Sequence, residues 1–153
     1  MKPSYAILAL SNLLLMAITA TTGLMVHGQA GFGRHFLLGI LTGLFTCLVH
    51  VVLFMYFVVQ EKIVTQSILH HGLDVTYSPR VQKFKSRALR LSCVGIVAVL
   101  ITIWLGAAIG VSIRAEVHLV VAFTAVFINA IVFFFQYVLI HEYGELHRAA
   151  FGE

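Results

Sequence analysis

Charge is what this sequence has least of. Only 10% of its 153 residues are Asp, Glu, Lys or Arg, against about 25% in a typical soluble domain. Sixty per cent are apolar, more than a chain of this size can hide from water given its surface-to-volume ratio. Water as the sole solvent is thereby excluded. Cysteine is scarce: Cys47 and Cys93 both lie in apolar runs and read as packing residues. There is no C-x-x-C-H for covalent haem, no P-loop and no G-x-G-x-x-G. No serine or cysteine has a base arranged beside it, so no catalytic residue is assigned. No polar tail or low-complexity linker interrupts the chain, which reads as one domain over 1–153.

What is present is long apolar runs. The charges cut the chain into four of them, with approximate spans 4–26, 35–60, 90–113 and 117–140. A helix needs about 20 apolar residues to cross the hydrocarbon of a bilayer, and the short alternating segments of a membrane barrel are missing. Lys2 followed by an apolar stretch has the look of a signal peptide. No small-x-small cleavage pair follows, however, and AITATTGLMVH stays apolar through Val26, so a retained helix is expected. Lys2, Lys62, Arg80, Lys83, Lys85, Arg87, Arg90 and Arg148 fall on one side of the spans, and only Arg34 and Arg114 on the other. The positive-inside rule then puts both termini in the cytoplasm, with the chain in a bacterial inner membrane. The basic central loop suits an anionic leaflet. It lacks the interleaved aromatics of a nucleic-acid surface, so the expected partners are membrane lipid and other membrane subunits or a homo-oligomer, with no nucleic acid.

The expected fold is an all-α integral membrane protein, a four-transmembrane-helix antiparallel bundle with helical cytoplasmic extensions. GQAGFGR and IGVSIRAE are short connections that make neighbouring helices antiparallel. Helical periodicity continues past the spans over 61–71, 79–89 and 141–150. Ile63, Val64, Ile68 and Leu69 mark one stripe, Gly72 a C-cap, and Ser78 with Pro79 a helix start. The second helix should run from about Gly33 to His71, roughly 58 Å at 1.5 Å per residue. The pairs Gly39/Gly43 and Gly106/Gly110 have the small-x-x-x-small spacing that lets helices approach closely in lipid.

Polar groups inside the spans carry the functional signal, because they are costly in lipid and must face the bundle or a partner. His50 sits within GLFTCLVHVVLFMYF. Helical rise places Asn12 and Asn129 at a comparable depth, so Asn12, His50 and Asn129 are expected to form a buried polar layer. His50, His35 and His118 are the candidate cofactor ligands, for haem b or a transition metal. His35 and His50 cannot share one metal, since about 22 Å of helix separates them. Candidate metal ligands are His27, His35 and His118 at the outer interface, and His141 with Glu145 at the inner one. HEYGELH lacks the second histidine of H-E-x-x-H and is not a zincin site. The leading expectation is a small non-catalytic accessory or assembly subunit of a larger inner-membrane complex, of which a respiratory complex is one natural home. The first alternative is a membrane redox protein holding haem b or a metal through His50 or the outer histidines. The second is a small oligomeric channel or transporter.

Overall fold

Each apolar run becomes one helix. The computed structural model describes residues 1–109, 112 and 114–152. It contains α1 (Lys2–Leu24), α2 (Gly28–His71), α3 (Tyr77–Ala107) and α4 (Ala115–Phe151), and no sheet forms among the described residues. All four helices are long and apolar enough to cross a membrane. They form a ring in chain order, each packed against its two neighbours, with α1 closing on α4. One end of the bundle holds the α1–α2 and α3–α4 connections and is called here the loop end. The other, the terminal end, holds both termini and the α2–α3 connection: Lys2 meets His141 and Tyr77 meets Ala149 there.

Local chemistry sets the helix ends, and differs in places from the sequence expectation. GQAGFGR is not a loop. Gly28 takes φ +69, a left-handed conformation cheap only for glycine, and the helix starts there, leaving residues 25–27 as the turn. At its other end α2 stops on Gly72, also left-handed, which caps the helix as its sequence position suggests. Ser78 does not cap α3. The Asp74 carboxylate instead accepts the Thr76 N–H at 2.9 Å, an Asx turn that delivers the chain into a helix starting at Tyr77. Pro79 falls in the first turn, where its missing N–H has no helical partner to lose. α3 ends at Ala107, inside the apolar run that extends to residue 113.

The 44 residues of α2 make it about 66 Å long, and the 37 of α4 about 55 Å, well beyond a hydrocarbon layer of about 30 Å. Toward the terminal end the helices pack on one another through aromatic side chains. Phe57 and Phe84 stack at 6.3 Å, and Tyr143 meets both edge-on at 5.6 and 5.7 Å. Such aromatic contacts add about 0.5–1.5 kcal/mol each beyond burial. The Tyr143 hydroxyl donates to Gln60 Oε1 at 2.9 Å; burial, and then nearby Tyr56, push its pKa far above the ordinary tyrosine range, so it remains a donor. Val64 and Val81 are buried beside this cluster and Lys85 pairs with Glu61 at 2.5 Å. The α2 stripe is narrower than periodicity implies: Val64 is buried and Ile68 packs on the core, whereas Ile63 and Leu69 face outward.

Apolar side chains fill most of the interior and also cover the outside, while several polar side chains are fully buried. Leu10, Leu37, Trp104 and Phe127 are each 67–68% exposed, while Asn12, Thr46, His50, Asn129 and Gln136 are at 0%. Buried polar groups are tolerated only when hydrogen-bonded, so the pairing of these five side chains fixes how the helices are rotated.

Candidate functional site

His50 is the centre of the largest buried network. Its Nε2–H donates to Asn129 Oδ1 at 3.0 Å, and its Nδ1 accepts from Gln136 Nε2 at 3.2 Å. The two amides thus fix a neutral imidazole of one tautomer and leave no ring nitrogen free. Gln136 also donates to Ser92 Oγ at 3.1 Å and accepts from the Tyr5 hydroxyl at 2.6 Å. Ser92 in turn donates to the His50 carbonyl at 3.3 Å. Asn129 donates to the Ala125 carbonyl at 2.9 Å. Four helices are tied together by one set of bonds. Phe133 stacks on the imidazole at 5.0 Å. Gly95 of α3 lies directly under it: a Cβ there would overlap the ring and lie 2.8 Å from Asn129 Oδ1.

Asn12 is equally buried but belongs to a second cluster. It donates to Thr46 Oγ1 at 3.0 Å, and Thr46 donates to the Thr42 carbonyl at 2.8 Å. Thr19 and Thr42 hydroxyls are 2.6 Å apart. The polar interior therefore comprises an α1–α2 threonine ladder and the His50 network, rather than one layer. Sequence reading missed Tyr5, Thr42, Thr46, Ser92 and Gln136. Spacing held a signal for some of them: Gln136 lies two turns after Asn129, and Thr42, Thr46 and His50 follow one another a turn apart, which places each set on one helix face.

The loop end contains a different arrangement. His35, in the second turn of α2, and His118, in the first turn of α4, meet edge to face with ring centres 6.1 Å apart and planes at 77°. Both line a cavity of about 360 Å³ whose walls come from all four helices. Its lining is mainly apolar, including Met16, Ile40, Val99, Ile103, Leu119 and Val126. Concave, largely apolar pockets of about 300–1,000 Å³ with a few converging polar groups are the usual form of a small-molecule site. His118 Nδ1 is buried with no hydrogen-bond partner, and His35 Nδ1 makes only a long 3.4 Å contact with Thr22 Oγ1. A buried donor or acceptor without a partner costs about 1–3 kcal/mol, so a nitrogen left in that state calls for an explanation. Each imidazole rests on a glycine of the preceding helix. A Cβ on Gly23 would come within 3.0 Å of His35, and one on Gly106 within 2.9 Å of His118. Gly39 borders the cavity, and a Cβ there would meet nothing within 4 Å.

The remaining candidates are scattered. His27 is exposed in the α1–α2 turn with Nδ1 3.0 Å from the Met25 carbonyl. His141 and Glu145 are at the terminal end, where Lys2 Nζ donates to His141 Nδ1 at 2.6 Å and Arg148 pairs with Glu145; the His141–Glu145 separation is 3.8 Å. Among the described residues, no three His, Cys, Asp or Glu side chains converge as a metal cluster. Of the expected packing glycines, Gly43 abuts Ile103 of α3, Gly106 abuts His118, Gly39 opens onto the cavity instead of a helix, and Gly110 lies outside the described residues. Compared with protein-family models, curated proteins and solved structures, the chain has no match in any of the three.

Proposed function

We propose that this chain is a four-span integral membrane protein that holds an imidazole-ligated redox cofactor, haem b or a transition metal, between His35 and His118. Both termini face the cytoplasm of a bacterial cell and the loop end faces out. The membrane part is supported by the apolar exterior, the hydrogen-bonded polar interior and the bias of basic residues to the terminal end. One observation carries the cofactor part: two histidines far apart in sequence come together at the wall of one cavity. A bound iron or copper supplies one-electron chemistry; the chain supplies the two ligands, an apolar wall and a fixed orientation. His50 is outside this role, because both of its nitrogens are occupied.

The test is to purify the protein from native membranes in mild detergent and measure its absorption spectrum and metal content together. Close to one chromophore or metal per chain is expected, with loss on replacing His35 and His118 together by alanine. A colourless, metal-free wild-type protein sinks the proposal.

A second reading, the non-catalytic accessory subunit, is favoured by a separate observation. Ile63, Leu69 and Val75 are exposed at the terminal end, on the part of α2 and its following turn that extends past the span into water. Exposed apolar groups in that setting suit contact with a partner subunit. The two roles are compatible in one protein. Native sizing of the same preparation separates them: a lone monomer with no co-purifying chain removes the accessory role and leaves the cofactor role standing.

A further inference from the structure

We infer that the group held between His35 and His118 is an iron tetrapyrrole with both imidazoles as axial ligands, rather than a bare metal ion. The inference rests on the cofactor-holding reading above and narrows it by ligand count, spacing and cavity shape.

A structural zinc site takes four protein ligands and a catalytic one takes three. Here two imidazoles meet edge to face, and among the described residues no third His, Cys, Asp or Glu completes a cluster with them. Glu116 does line the cavity, but its carboxylate pairs with Arg114 at 3.3 Å. A porphyrin supplies four equatorial nitrogens of its own and asks the protein for one or two axial ligands only. The spacing agrees. With metal–nitrogen bonds of about 2.0 Å and each nitrogen about 1.1 Å from its ring centre, two imidazoles on opposite sides of one metal have centres about 6.2 Å apart; the observed separation is 6.1 Å. The rings meet edge to face at 77°, so binding would turn them to bring one nitrogen of each onto that axis.

The surroundings fit an amphiphilic disc. Two glycines, Gly23 and Gly106, lie behind the imidazoles, and the open space beside Gly39 extends the cavity away from them. The wall is aliphatic, as a macrocycle face requires. Arg34 stands at this end in an exposed position, so a carboxylate group on the disc edge would meet a cation and water rather than hydrocarbon. A hydrated divalent ion would find two donors and an apolar wall, a poor exchange for its water shell.

The experiment titrates detergent-solubilised apoprotein with hemin, and separately with Cu(II) and Zn(II). The absorption and electron paramagnetic resonance spectra give stoichiometry and spin state. Saturable one-to-one hemin binding with a low-spin, six-coordinate spectrum is expected. His35→Ala and His118→Ala should each convert it to a high-spin form with one axial imidazole, and the double variant should lose binding. Gly39→Leu fills part of the cavity without replacing either imidazole and should weaken hemin at least tenfold while circular dichroism and elution volume stay unchanged. Low-spin hemin that survives both single replacements overturns the inference. So does copper or zinc bound at one per chain through both histidines with no hemin uptake, an outcome that leaves the broader cofactor-holding reading intact. Failure of every probe overturns both.

Discussion

Gly95→Ala is the smallest change that reaches the centre of the bundle. The added methyl would overlap His50 Nε2, lie 2.7 Å from Cε1 and 2.8 Å from Asn129 Oδ1. Helix backbone holds one side of the clash and the Phe133 ring stacked at 5.0 Å the other, so His50 has little room to retreat. Overpacking of this kind costs about 1–3 kcal/mol. Displacing the imidazole also lengthens its bonds to Asn129 and Gln136, each worth about 0.6 kcal/mol on the average for hydrogen bonds between membrane helices. Alanine recovers up to about 1 kcal/mol through its better helix propensity. The net expectation is a loss of about 2 kcal/mol. Gly39→Ala is the matched control: the same change, on the neighbouring helix, with nothing within 4 Å of the new methyl. It should be neutral or stabilising by up to about 1 kcal/mol. Reversible unfolding in mixed micelles with increasing denaturing detergent, followed by circular dichroism, reads both. Equal midpoints for the two variants would show that the interior does not close around His50 as described, and the assignment of its network would fall with it.

Gln136→Leu removes the one side chain that bonds Tyr5, His50 and Ser92 together; leaving those buried groups unpaired should cost about 2–4 kcal/mol in the same unfolding assay, and a loss under 0.5 kcal/mol would rule the network out as a stabilising feature. Cysteines introduced at Asp74 and at Gln29, in a background lacking Cys47 and Cys93, should react with a membrane-impermeant maleimide in inverted vesicles and in intact spheroplasts respectively; labelling of both from one side refutes the two-ended arrangement. Glu61→Gln breaks the partly buried pair with Lys85 and should lower stability by about 1 kcal/mol with little salt dependence, whereas Glu116→Gln, whose pair with Arg114 is largely exposed, should be silent. A drop of equal size at both positions would contradict the burial difference between them.

Length and polarity are enough to read four helices and their antiparallel order, because apolar runs of more than about 20 residues joined by short connections leave few alternatives. Rotation about each helix axis was not readable. A helix with apolar neighbours on every side has no amphipathic stripe to declare its inner face, and so Gln136 and Ser92 were overlooked although His50 and Asn129 stood out. Asn12 was placed at the right depth, yet its partner is Thr46, since depth says nothing about which seam a side chain enters. Sequence position puts His35 and His118 at the same end of the bundle; that their rings meet depends on helix rotation, which the sequence does not declare. The GQAGFGR connection misled for a different reason. Three glycines suggest a loop by composition, but only Gly28 needs a left-handed backbone, and once it has turned the chain the remaining residues are free to be helical.

The three histidines at His35, His50 and His118 obey one packing rule and differ in one chemical respect. Each rests on a glycine of another helix, Gly23, Gly95 and Gly106 in turn. Helices with apolar surfaces on every side pack by close van der Waals fit, and an imidazole is thick enough that its neighbour must surrender a side chain. Glycine opposite histidine is therefore a steric requirement of this bundle and by itself says nothing of function. Hydrogen bonding separates the cases. Around His50 two amides occupy both nitrogens, the arrangement a purely structural imidazole needs. At the loop end the same seat is built twice, the two rings meet edge to face, and no side-chain amide is provided. The bundle spends Asn129 and Gln136 on one histidine, whereas His35 Nδ1 has only its long contact with Thr22 and His118 Nδ1 has no side-chain partner, so the two loop-end rings are held less firmly than His50 and are the ones left able to turn toward a guest in the cavity.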